Sequence, residues 1–200
     1  MTRPAAVALA SLALVAPALA QEAVTEARSA VSFPAKVGDM SILGVGLRTK
    51  TMLKVKVYAI GLYVADTALA GPLHSYKGKT SSPEFYKDLR GGDFEKQVTM
   101  TFTRDLSTSQ LQGAFREVLE TADQKMVTLF VGFFGNVKSG QQAIIHWKDG
   151  KLEVQVAGLG KPPISDKNFA QAVFSIWLGD KPIQDDIKRD VVSRADGLIK

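Results

Sequence analysis

The sequence predicts an α+β domain built on an antiparallel sheet with helices gathered against it. Three observations predict this class. Two period-2 segments at 40–50 and 53–65 lie close enough to form a hairpin, an Asp149-Gly150 turn joins two more, and the helical repeats come in blocks rather than after every strand.

The first twenty residues stand apart from the rest. Arg3 precedes an apolar run of Ala, Leu and Val that closes on Ala18-Leu19-Ala20, the pattern of a secretory signal peptide cleaved after Ala20. Its short length and Pro17 argue against a permanent membrane span. The expected destination is a periplasm or the exterior, or an organelle lumen if the source carries plastids. Losing Arg3 would take the formal charge from +5 to +4, since the segment holds no acidic residue. Residues 21–30 read as a linker or a short helix, and 31–200 as the domain.

Strands are expected at 31–37, 40–50 and 53–65. In the third, Val55, Val57 and Ala59 alternate with Lys54, Lys56 and Tyr58; in the second, Val45, Leu47 and Thr49 alternate with Gly46, Arg48 and Lys50. A turn at 52–54 places Arg48 opposite Tyr58 on one face, together with Lys50 and Lys56. A guanidinium beside a phenol can receive a carboxylate, because a bidentate charge-assisted bond fixes orientation as well as charge. Gly44 and Gly46 clear side chains where another group can approach the backbone. The same spacing also fits a plain solvated basic face.

Further along, 67–73 reads as a short helical stretch, and Ser82-Pro83 opens a helix that ends at Gly91-Gly92. Segment 94–104 alternates Val98, Met100 and Phe102 with Thr and Gln, as a half-buried strand does. Ser107 and Gln110 form a capping box for a helix carrying Leu111, Phe115, Val118 and Leu119. Residues 125–134 are apolar and helical in character. Strands 141–148 and 151–157 flank Asp149-Gly150, Asp166 caps a helix with Phe169, Val173, Ile176 and Trp177 on one face, and Pro182 starts a last helix.

Composition narrows the chemistry. With 46% hydrophobic and 22% charged residues the chain is an ordinary globular protein, and with no cysteine it has neither disulfides nor a thiol nucleophile. His74 and His146 lack metal-ligand spacing, Gly78-Lys79-Thr80 lacks the glycine needed for a phosphate loop, and no basic run is interleaved with aromatics as in nucleic-acid binders. No metal or other cofactor is expected. Composition and spacing leave two readings open: a pocket for something acidic and apolar, or a structural or partner-binding domain.

The segments Gly46-Leu47-Arg48, 55–63 and 172–179, with the Ser107 helix between them, resemble the chalcone isomerase superfamily. The resemblance spans roughly residues 31–197 and implies an open-faced β-sandwich, a large antiparallel sheet with helices on one face and a ligand cleft between. It also implies ligand contacts at Arg48, Tyr58, Ser107, Ile176 and Trp177. The superfamily contains isomerases and non-catalytic fatty-acid binders, and Tyr58, in place of the isomerases' threonine, resembles the binders. Ser107 and Ala114 stand where isomerases carry a tyrosine and an asparagine, and Ile176 and Trp177 replace a threonine and its neighbour. Each lost donor to a developing enolate costs about 2.7–4 kcal/mol. The resemblance therefore implies a lipophilic carboxylate, such as a fatty acid, as the small-molecule partner. An intramolecular lyase acting on a chalcone-like compound is the alternative.

Overall fold

A computed structural model describes residues 22–200. The expected signal segment, 1–20, lies outside the described residues.

Strand β1 (Ala23–Glu26) turns back on β2 (Val31–Pro34) as a separate antiparallel pair. Residues 21–30 were expected as a linker or helix, so this pairing corrects that expectation. The cause is local: the Glu26 carboxylate accepts from the Ser29 backbone N–H at 2.7 Å, the Ser29 hydroxyl at 2.6 Å and Arg28 Nε at 2.9 Å, which closes the turn. Burial would raise the pKa of Glu26, but the bonds from Ser29 and Arg28 prevail and hold it below its ordinary value.

The main sheet begins with β3 (Lys36–Val37), β4 (Met40–Lys50) and β5 (Val55–Ala65). Helices α1 (Asp66–Ala70) and α2 (Pro83–Gly91) follow, with Ser82 capping the second through the Phe85 N–H. Then come β6 (Lys96–Phe102), α3 (Thr108–Val118) and α4 (Gln124–Val131). The chain continues with β7 (Gln142–Lys148), β8 (Lys151–Val156) and β9 (Leu159–Gly160). It closes with α5 (Lys167–Leu178), α6 (Asp185–Asp190) and α7 (Ala195–Leu198). Among the described residues the sheet has seven strands in sequential order from β3 to β9, all antiparallel.

Helices cover one face of this sheet and the β1–β2 pair covers part of the other. Gly44 shows the first contact: a Cβ there would lie 2.3 Å from the Asp190 carbonyl oxygen of α6. Gly61 shows the second, since its Cβ would touch Phe33 of β2 at 3.2 Å. The approach anticipated at Gly44 and Gly46 is thus that of a helix. Under the sheet, Phe115, Phe130, Phe134 and Phe169 pack ring against ring, with centroids 4.8–5.8 Å apart.

Two expectations about elements change. β6 is buried along its whole length rather than on one face, and that burial is tolerated because Gln97 donates to Thr99 and Gln142 donates to Thr101. At its start Lys96 is buried, and its Nζ donates to the Leu89 and Gly92 carbonyls at 3.1 and 2.6 Å, at the end of α2. The helix expected from Pro182 starts at Asp185 as α6 and is followed by α7; the Ile183 N–H bonds to the Ile176 carbonyl and Gln184 is extended, which holds the segment out of the helix.

Candidate functional site

The β4–β5 hairpin pairs Arg48 with Tyr58, as the alternation of the two segments predicts. Toward the turn the register then slips, and Thr49 pairs with Lys56, so Val57 is an extra residue on β5. This bulge lets Val55, Val57 and Tyr58 all contribute to the wall of one cavity, opposite Arg48 and Lys50. It also turns Lys56 to the other side, where its Nζ bonds to the Arg28 carbonyl. Lys50 therefore shares the Arg48–Tyr58 face as expected, and Lys56 does not.

The cavity has a volume of about 540 Å³, within the usual range for small-molecule sites. Its far wall is the apolar face of α3, formed by Leu111, Ala114, Phe115 and Val118, closed by Leu106, Pro182 and Ile183. Three cations, Arg48, Lys50 and Arg104, line it against one acid, Glu117. A larger hollow of about 740 Å³ lies beside α2, lined by Lys87, Asp88, Arg90 and Asp93. Its charges are balanced, so it is the weaker candidate for an acidic ligand.

Arg48 is half-buried and held from one side. Its Nη1 donates to the Thr49 carbonyl and, at 3.1 Å, to Gln184 Oε1. Gln184 is itself fixed, because its Oε1 accepts from the Thr49 backbone N–H at 3.0 Å and its Nε2 donates to the Leu47 carbonyl at 3.3 Å. With Nη1 committed, Nε and Nη2 carry the remaining donors, an edge that fits a carboxylate bidentately.

Tyr58 is buried, with its ring edge-on to Phe102 at 6.2 Å. Its hydroxyl oxygen accepts from Trp177 Nε1 at 3.0 Å. Indole nitrogen can only donate, so the phenolic proton is left for another acceptor, and among the described residues no hydrogen bond uses it. Burial pushes the Tyr58 pKa up to about 12, against smaller downward pulls from Trp177 and Arg48. The phenol is therefore a neutral donor at physiological pH.

Three of the expected ligand residues thus meet: Arg48 and Tyr58 at the cavity, and Trp177 behind Tyr58. Ser107 and Ile176 are placed elsewhere. The Ser107 hydroxyl accepts from the Gln110 N–H at 3.3 Å as the helix cap, and the residue is not part of the cavity lining. Ile176 is fully buried in the core and does not line the cavity. Residue reading missed Gln184 and Arg104. Nothing in the local sequence marks Gln184, whose partner lies across the fold; Arg104 was reachable by carrying the Val98-Met100-Phe102 parity two residues further.

The profile of the family described as chalcone isomerase-like matches residues 22–192. The chain belongs to that family. Fatty-acid-binding protein 1 of Arabidopsis thaliana is 24% identical to it over 206 aligned residues, 90% of this chain and 73% of the relative. A chalcone–flavanone isomerase of Phaseolus vulgaris is 26% identical over 198 residues, covering 84% and 88%. The crystal structure of the Arabidopsis fatty-acid-binding protein superposes with a TM-score of 0.77 at 20% identity, over 89% of this chain and 99% of that one. That likeness establishes the chalcone isomerase-like fold.

Proposed function

We propose that this chain is an exported, non-catalytic chalcone isomerase-like protein that binds a fatty acid or a similar lipophilic carboxylate. The carrying observation is that the uncommitted edge of Arg48 and the free phenolic proton of Tyr58 belong to one otherwise largely apolar cavity. Arg48 pairs with the carboxylate and Tyr58 donates to it, while the acyl chain lies against Leu111, Ala114, Phe115 and Val118. Burial of the chain contributes about 0.8 kcal/mol per methylene. Trp177 contributes by holding Tyr58. The fatty-acid-binding relatives support the ligand class, and the apolar run before residue 21 supports export.

A lyase reading is supported by the isomerases among the relatives and by the proton-donating phenol at the cavity. Against it, Leu111, Ala114, Phe115 and Val118 make most of the α3 wall apolar where an enolate needs aligned donors, with Gln110 its one amide donor. Mass spectrometry of lipids extracted from the purified protein, wild type beside Arg48→Ala, tests the proposal. The expected result is fatty acid in the wild type and at least tenfold less in the variant. An empty wild type that takes up no added fatty acid sinks it, and Arg48- and Tyr58-dependent consumption of chalcone would replace it with the lyase.

A further inference from the structure

The β4–β5 turn departs from turn chemistry. Its central residues are Met52 and Leu53, 100% and 87% exposed, where Gly, Asn, Asp or Pro is usual. The chain holds them there at a cost, because Thr51 and Lys54 both adopt positive φ, 70° and 50°, around the Lys54 N–H to Thr51 carbonyl bond. Lys50 and Lys54 flank the tip, both exposed, Lys56 follows on the other face with its Nζ at the Arg28 carbonyl, and residues 40–65 contain no acid. The same turn forms part of the cavity rim, through Lys50, Thr51 and Val55.

We infer that this hairpin tip docks on an anionic lipid surface, with Met52 and Leu53 inserted at the headgroup boundary and the lysines against the headgroups. This role rests on the cavity being a fatty-acid site, since docking brings the rim to the bilayer and lets a fatty acid pass between the two without crossing water. Two apolar side chains flanked by cations suit shallow insertion with electrostatic attraction. They are too small a patch for a protein partner, which needs more than about 1,000 Å² of buried surface.

The test uses vesicles of phosphatidylcholine alone or with phosphatidylglycerol, and an anthroyloxy-labelled stearate as the transferred probe. Wild type is expected to sediment with the anionic vesicles and to be released by salt, while Met52→Ser/Leu53→Ser loses at least tenfold and Lys54→Ser about fivefold in partitioning. Both variants lie outside the cavity wall and keep wild-type affinity for the stearate in solution. The double variant takes the probe from vesicles more slowly. Wild type that binds stearate in solution yet ignores vesicles of either composition overturns the docking and leaves the cavity reading intact. Vesicle binding without stearate binding overturns the cavity reading and the transfer role with it. A wild-type dimer that the double substitution makes monomeric, with no vesicle binding, assigns the tip to a protein contact and overturns the inference.

Discussion

Tyr58→Phe removes one oxygen from the buried centre of the site and separates two roles that this oxygen holds. The ring and its edge-on packing on Phe102 remain, so no cavity opens. What is lost first is the acceptor of Trp177 Nε1, on a residue 1% exposed. A buried donor left unpaired costs about 1–3 kcal/mol, which lowers Tm by about 3–9 °C for a domain of this length. What is lost second is the donor to the ligand carboxylate, worth about 1.5–3 kcal/mol because the acceptor is charged, or about 10- to 100-fold in Kd. A double-mutant cycle with Trp177→Phe distinguishes the roles. In chemical denaturation of the lipid-free proteins, the pair should couple by about 1 kcal/mol or more, since removing both partners leaves nothing unpaired. In fatty-acid titration, the double variant should stay as weak as Tyr58→Phe. Stability coupling within about 0.3 kcal/mol of zero would refute the account of how Trp177 holds the phenol.

Other consequences can be measured independently. Gln184→Ala leaves Arg48 Nη1 with the Thr49 carbonyl as its remaining partner and takes the acceptor from the Thr49 N–H, and should weaken fatty-acid binding by about 3- to 10-fold in titration calorimetry. Gly44→Ala sets a Cβ 2.3 Å from the Asp190 carbonyl and 2.8 Å from Val191 backbone, so α6 must shift; denaturation should show a loss of about 1–3 kcal/mol. Burial pushes the Lys96 pKa down from 10.5 to about 7, with Asp93 pulling it partly back up. The unfolded chain then binds the extra proton between those values, so stability should rise with pH across that window, and Lys96→Met should flatten the rise. Burial raises Tyr58 and Tyr63 from 10.0 to about 12, so their contribution is complete below pH 10 and lost as pH climbs through 12. Denaturation midpoints across the alkaline range should therefore pass through a maximum.

The parts legible in the sequence are those with a local period or cap. The Arg48–Tyr58 pairing followed from alternation on two adjacent segments, and the Ser107, Asp166 and Asp149-Gly150 signals each stand at the element they predict. The failures share a different cause. Alternation assumes a continuous register, and the extra residue at Val57 is set by how the whole hairpin twists, so Lys56 ended on the opposite face. The β1–β2 pair was hidden because a polar stretch looks mobile until the Glu26 carboxylate is seen gathering its turn. Ser107 was expected at the ligand, yet its hydroxyl caps α3 and the residue is not part of the cavity lining. Gln184 holds Arg48 from 136 residues away, a contact that no local pattern encodes.

The central claim is that Arg48 holds the ligand's charge. Palmitate labelled with ¹³C at its carboxyl carbon, bound to the delipidated protein and followed by NMR as pH falls, reads that contact at the reacting atom. Bound to wild type, the carboxyl should stay ionised to below the ordinary carboxylate range of about 4–5. With Arg48→Gln, burial without a counter-charge should raise its titration midpoint by about one unit or more. The same midpoint in both proteins would place the carboxylate away from Arg48 and contradict the account.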